Sequence, residues 1–170
     1  HRLISTGKFK CVVIDAPFVN VSTSCIGVDH RRAQYEVAAK TVMENNCKRI
    51  LYIAGKRNGY VTDERIRGME DLVKEKNLTM LVRNGEFSEL QARNITLKYA
   101  KNKDIVVCAS DLMAIGAMKA LIQMDIFRPV CGFDGIILMG YVGKQMNTVR
   151  QDFASISESA MEELQELMNG

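Results

Sequence analysis

Asp104-Ile105-Val106-Val107-Cys108-Ala109-Ser110-Asp111-Leu112-Met113-Ala114-Ile115-Gly116-Ala117 reads as a buried strand that runs straight into a helix. Ile105 to Ala109 are all apolar, with no polar residue on either face. A strand without alternation is covered on both sides, as in a parallel sheet flanked by helices. Ser110 and Asp111 follow it as helix-opening residues whose oxygens can accept from free backbone N–H groups. The helix expected over Leu112 to Met124 is apolar nearly all round, with only Lys119 and Gln123 clearly polar. Such a helix is either fully buried or half of an interface.

The same alternation extends in both directions. Phe9 to Ile14 is a short β-branched run ended by Asp15-Ala16-Pro17. Arg31 to Glu44 reads as a helix with Ala33, Val37, Ala38, Thr41 and Val42 on one face. Arg49 to Ala54 is a strand closed by Gly55, and Thr62 to Lys76 a helix, with a strand near Leu78 to Val82. Ser88-Glu89-Leu90-Gln91 has the spacing of a capping box and opens the next helix. Val130 to Phe133 is another short strand. Asn147 to Arg150 fits strand or connector, and Asp152 to Met168 is helical. The fold class is therefore α/β with parallel sheets. Ligands of such sheets bind at the carboxyl ends of the strands. That rule points to Asp15, Gly55 to Thr62, Ser110-Asp111 and Asp134.

Composition narrows the function. The 170 residues are 47% hydrophobic and 25% charged, with a formal net charge of +3. That charge is too small to argue for nucleic acid binding by itself. No stretch is apolar enough to span a membrane, and His1 to Ser5 lacks the apolar core of a signal peptide. Five cysteines, Cys11, Cys25, Cys47, Cys108 and Cys131, are scattered with no C-x-x-C pair. This favours a reducing compartment over a disulfide framework or a zinc site. There is no G-x-S-x-G, P-loop, G-x-G-x-x-G or H-E-x-x-H motif. The two histidines, His1 and His30, have no cysteine or carboxylate cluster beside them in sequence, so no catalytic or metal residues are assigned, and no cofactor is implied.

Several segments, in order, resemble the lactose/galactose (LacI/GalR) repressor family. They are Cys11 to Asp15, Val28-Asp29-His30, Arg49 to Gly55, Arg65-Ile66-Arg67-Gly68-Met69, Ala109 to Ala117, Gly132-Phe133-Asp134 and Thr148 to Phe153. The resemblance implies a periplasmic-binding-protein-like type I fold, with two subdomains joined by crossover strands and a small effector in the cleft. It assigns residues 1–46 and 149–170 to a partial head-proximal subdomain and residues 47–148 to the distal one. The helix-turn-helix head and the first strands of the family have no counterpart in this chain. Ala33 stands where the family has a small residue, usually Gly, and Arg32 where some members place an acidic ligand contact.

The resemblance makes Arg65, Ser110, Asp111, Asp134, Gln151 and Phe153 the candidate ligand-binding residues. Arg65 falls in the first turn of the expected helix, where the macrodipole disfavours a cation. It is either a ligand donor or a solvent-facing arginine offset by Asp63 and Glu64. If it is the former, Arg65→Ala removes binding with little loss of stability. Ser110 and Asp111 either cap the helix or turn an oxygen to the ligand. Asp134 can accept hydrogen bonds from vicinal hydroxyls or serve a turn. Phe153 can stack on a sugar face or pack in the core. Asp29 and Arg32 read as a cap and an exposed arginine.

The function implied is the effector-binding and dimerisation core of a cytoplasmic transcriptional regulator. It would take a sugar or sugar derivative, form a homodimer, and reach operator DNA through a head outside this chain. The competing reading is an extracytoplasmic sugar-binding protein of a transport system. A flavodoxin-like enzyme has only the fold class in its favour.

Overall fold

The computed structural model describes residues 11–14, 23–133 and 153–169. The chain divides into two compact units, His1–Asp29 with Gln151–Gly170, and His30–Arg150. In the first, β1 (Cys11–Ile14) pairs in parallel with β2 (Thr23–Ile26), with Cys11 opposite Thr23. Helix α5 (Phe153–Asn169) packs against both strands. The strand β2 was not expected. Its Thr-Ser-Cys-Ile run has no apolar or alternating pattern, and only its partner strand reveals it.

The second unit holds α1 (His30–Glu44), β3 (Arg49–Ala54), α2 (Tyr60–Lys76), β4 (Thr79–Asn84), α3 (Glu89–Tyr99), β5 (Ile105–Cys108), α4 (Asp111–Gln123) and β6 (Val130–Cys131). Its sheet is parallel, in the order β4-β3-β5-β6. The parallel-sheet α/β class read from the sequence is what the structure shows. Ile50 to Ala54 and all of β5 are fully buried, as expected of non-alternating strands. α1 packs with α2, and α3 with α4. The chain steps from β3 to β4 in one direction and from β4 across β3 to β5 in the other. Right-handed crossovers therefore put the two helix pairs on opposite faces. The reversal makes β3 and β5 the switch point of the sheet.

The second unit begins at His30, the first residue of α1. α1 packs against α2 and β6. Arg31 grips Asp71 of α2 with two hydrogen bonds of 2.6 and 2.8 Å, and the Tyr35 hydroxyl donates to Glu75 at 2.5 Å. These contacts link residues 40 apart, which local sequence patterns do not report.

The amino ends of β3 and β5 are joined by Asp104. Its carboxylate accepts from the backbone N–H groups of Lys48 and Arg49, at 3.1 and 2.8 Å, and from the Arg49 guanidinium at 2.7 Å. The Arg49 side chain, helped by the two N–H groups, holds the Asp104 carboxyl well below the usual carboxylate range. A carboxyl depressed on folding adds stability above its unfolded pKa, and that stability is lost as pH falls through the folded value. Melting temperature should therefore fall on acidification below about pH 4, and fall less steeply in Asp104→Asn. Parallel acid profiles for the two proteins would show that this carboxylate does not matter.

Candidate functional site

The carboxyl ends of β3, β5 and β6 bring together side chains from four elements of the second unit. Arg65 comes from α2, which starts at Tyr60 behind an uncapped Gly59. Arg65 is therefore in the second turn, not the first, and it is 3% exposed. Its guanidinium lies 3.6 Å from the centroid of the Phe133 ring. One of its terminal nitrogens donates to the Ala109 carbonyl at the end of β5. Nε donates to Nδ1 of His30 at 3.4 Å, and Nη2 lies 3.3 Å from the same atom. The solvent-facing alternative is excluded. Glu64, which was to offset Arg65, pairs with Arg67 at 2.6 Å instead.

Ser110 is the N-cap of α4, and its hydroxyl accepts from the Met113 N–H at 3.3 Å. Asp111 is fully buried in the first turn of the same helix, where the positive end of the helix dipole favours a carboxylate. Its Oδ1 lies where a Cβ on Gly132 would stand, so this loop can approach α4 only with glycine at position 132. Ser110 and Asp111 therefore sit beside Arg65 and Phe133, with one cap oxygen committed to backbone. Asp134 and Gln151 lie outside the described residues. Phe153 opens α5 in the other unit. Arg32 is exposed and pairs with Glu36 at 2.8 Å on its own helix.

Two kinds of residue went unread in the sequence. The first is the polar stripe on the buried face of α1. His30 and Gln34 lie with Val37, Ala38, Thr41 and Val42 on the inward side. Gln34 Oε1 accepts from the buried Tyr52 hydroxyl at 3.4 Å, and its Nε2 has no partner among the described residues. His30 and Gln34 continue, at i and i+4, the inward side that holds Val37, Ala38 and Thr41, but their polarity suggested solvent. The second is Phe87, beyond β4. Glu86 and Phe87 both have positive φ, 54° and 56°. That conformation is rare for a bulky residue and gathers at functional sites. The Phe87 ring covers Gly55 at the end of β3, where a Cβ would overlap it.

Residues 39–170 match the family model described as periplasmic binding protein-like domain. The chain belongs to that family. Among relatives of this periplasmic binding protein-like domain, the transcriptional repressor PurR of Vibrio vulnificus is 26% identical over 149 residues. The transcriptional regulator MalR of Clostridium butyricum is 28% identical over 149 residues. Each match covers 82% of this chain and 45% or 44% of the relative, so the chain spans about half the length of the curated relatives it matches. A solved Escherichia coli structure, described as a sugar-binding transcriptional regulator of the LacI family complexed with phosphate, superposes with a TM-score of 0.87 at 20% identity. It covers 99% of this chain and 64% of its own. The resemblance to LacI/GalR-type effector-binding domains, read from the ordered sequence segments, is borne out.

Proposed function

We propose that this periplasmic binding protein-like domain is the effector-binding core of a LacI-type transcriptional regulator, and that a small polar ligand, a sugar or sugar derivative, is read at the switch point of its sheet. The observation that carries the reading is Arg65: a buried guanidinium, stacked on an aromatic ring, at the carboxyl ends of the strands. Arg65 gives directional donors for hydroxyls or an anionic group. Phe87, partly exposed over Gly55 at the end of β3, adds an aromatic face of the kind that packs on sugar rings. Asp111, in the first turn of α4, is proposed to join Arg65, and Asp134, Gln151 and Phe153 are proposed as further ligand contacts on the family resemblance alone. The relatives are transcriptional regulators, and no catalytic role is proposed for this domain.

The test is a thermal-shift screen of the chain against sugars, polyols, sugar phosphates and nucleobases. A ligand present at about 100 times its dissociation constant stabilises the fold by roughly 2.7 kcal/mol, a shift of several degrees. A library that moves nothing would overturn the reading. In the whole protein the effector would alter operator affinity, and operator binding would alter effector affinity by the same factor. Cys47, Cys108 and Cys131 are free and buried, and burial pushes the Cys131 thiol up to about 12. Inert free thiols fit a cytoplasmic regulator better than an extracytoplasmic transport component. No helix among the described residues is long and apolar enough to cross a membrane.

A homodimer is proposed through the outer face of α3 and α4. Most of α4 is buried in its own unit, which accounts for its apolar character. Leu90 and Ile122 nevertheless remain 62% and 66% exposed. They border an open depression of about 630 Å³ lined by Glu89, Arg93, Lys119 and Gln123. The face carries both signs of charge around an apolar centre, as a self-complementary twofold contact requires. Ile122→Asp should weaken self-association about tenfold or more in analytical ultracentrifugation, by burying a charge at the centre of the contact. A wild-type chain that stays monomeric at high concentration would refute the dimer.

A further inference from the structure

We infer that His30 is a positioning residue, whose Nδ1 holds the Arg65 guanidinium over the Phe133 ring and on the Ala109 carbonyl. Its functional consequence rests on the reading of Arg65 as the ligand-reading donor. An arginine side chain has many rotamers, and a buried one needs acceptors to stay in a single pose. Two of those acceptors are visible: the Ala109 carbonyl, fixed by β5, and His30 Nδ1, which faces both Nε and Nη2 at 3.4 and 3.3 Å. The third restraint is the Phe133 ring, whose centroid is also 5.9 Å from that of His30. His30, Arg65 and Phe133 thus form one stack from α1, α2 and the segment after β6, and all three are at most 3% exposed.

The direction of these contacts sets the state of the imidazole. Guanidinium nitrogens only donate, so Nδ1 accepts, and the ring is neutral with its proton on Nε2. Two features of the surroundings favour the neutral ring. His30 is the first residue of α1, at the positive end of the helix dipole, and the Arg65 cation stands against it. A histidine in this place is an acceptor fixed by a helix end, and the α1–α2 ion pair of Arg31 and Asp71 locks the two helices that carry the pair.

The test uses the 170-residue chain, with and without D-ribose as probe ligand. In the wild type, nitrogen-15 spectra of the ring should show the Nε2–H tautomer, and the Arg65 Nε–H signal should be protected from exchange. His30→Asn places an amide oxygen near the position of Nδ1 and should keep that protection. His30→Leu, which keeps bulk but accepts nothing, should speed exchange about tenfold or more, whereas the Asn variant stays within about threefold of the wild type. If D-ribose binds, its affinity should follow the same order. An Nδ1–H tautomer or an imidazolium at neutral pH overturns the inference without any variant having to fold. Unchanged Arg65 protection in folded His30→Leu overturns it as well. If D-ribose and the rest of the screen fail to bind while the spectra behave as expected, the ligand reading falls and the positioning role of His30 stands.

Discussion

Arg65→Ala is expected to lower the unfolding free energy by about 3 kcal/mol and the melting temperature by roughly 6–12 °C, in addition to removing the proposed effector binding. Three losses add up. The buried aliphatic stem leaves a cavity that the strand ends cannot fill. The Phe133 ring loses the cation stacked on it. The Ala109 carbonyl and His30 Nδ1 lose a charged donor, and a buried group stripped of its partner costs about 1–3 kcal/mol. Relief of guanidinium desolvation opposes these terms, which is why the estimate lies near the middle of the range and not at their sum. Arg65→Met separates the contributions, since it keeps most of the stem and none of the hydrogen bonds. Urea denaturation measures both variants. A loss below about 0.5 kcal/mol in Arg65→Ala would mean that these contacts hold nothing in place. The sequence-based expectation of a cheap substitution rested on an exposed first-turn position, and burial in the second turn removes that premise.

The second large effect is expected at the two glycines where helices meet. A Cβ on Gly68 would overlap the carbonyl oxygen of Arg31 and stand 3.0 Å from its carbon. A Cβ on Gly116 would do the same to Glu89, again at 3.0 Å from the carbonyl carbon. In each case the obstacle is backbone of the partner helix, which cannot turn aside as a side chain can. Gly→Ala in a helix interior normally gains about 1 kcal/mol of propensity. Forcing a packed helix pair apart costs about 1–3 kcal/mol and can cost more. Gly68→Ala and Gly116→Ala should therefore destabilise by up to about 2 kcal/mol net, with the sign opposite to propensity. Gly59→Ser is the contrast. Gly59 starts α2 with no side-chain cap, its φ is −98°, and nothing lies closer than 3.4 Å to a Cβ placed there. A serine cap there should leave stability unchanged or raise it by about 0.5 kcal/mol. Melting curves of the three variants decide the point, and stabilised glycine variants at 68 and 116 would show that the helix pairs are looser than they stand here.

Helix and strand positions in the second unit were largely legible in the sequence. Arg49 to Ala54 matches β3 residue for residue, and the two helices read to end at Glu44 and Lys76 end there. Ser88 caps as its spacing indicated, and Ser110 takes the capping alternative. These features are local. A run of apolar β-branched residues buries both faces wherever it lies in the chain, and a serine followed by free N–H groups caps whatever helix comes next. The ordered family segments carried the rest, including the choice of Arg65.

The site itself was only half legible. Sequence pointed to the strand ends, and the switch point between β3 and β5 is where Arg65 meets Ala109. It did not show that α1 belongs with this sheet, that Arg65 is buried, or that His30 is its acceptor. All three depend on which face of a helix turns toward which strand, and that is settled by contacts between residues about 35 to 45 positions apart. Hydrophobic periodicity marks the inward face of a helix only where the inward residues are apolar. On α1 the inward positions nearest the site are His30 and Gln34, and polarity alone assigns them to water. By itself the sequence determined most of the strands and helices of the second unit, because propensity, capping and burial period act within a few residues, whereas β2 shows only through its partner strand. The tertiary structure decided which polar groups are buried together, because a buried donor is tolerated only where another part of the chain brings it an acceptor.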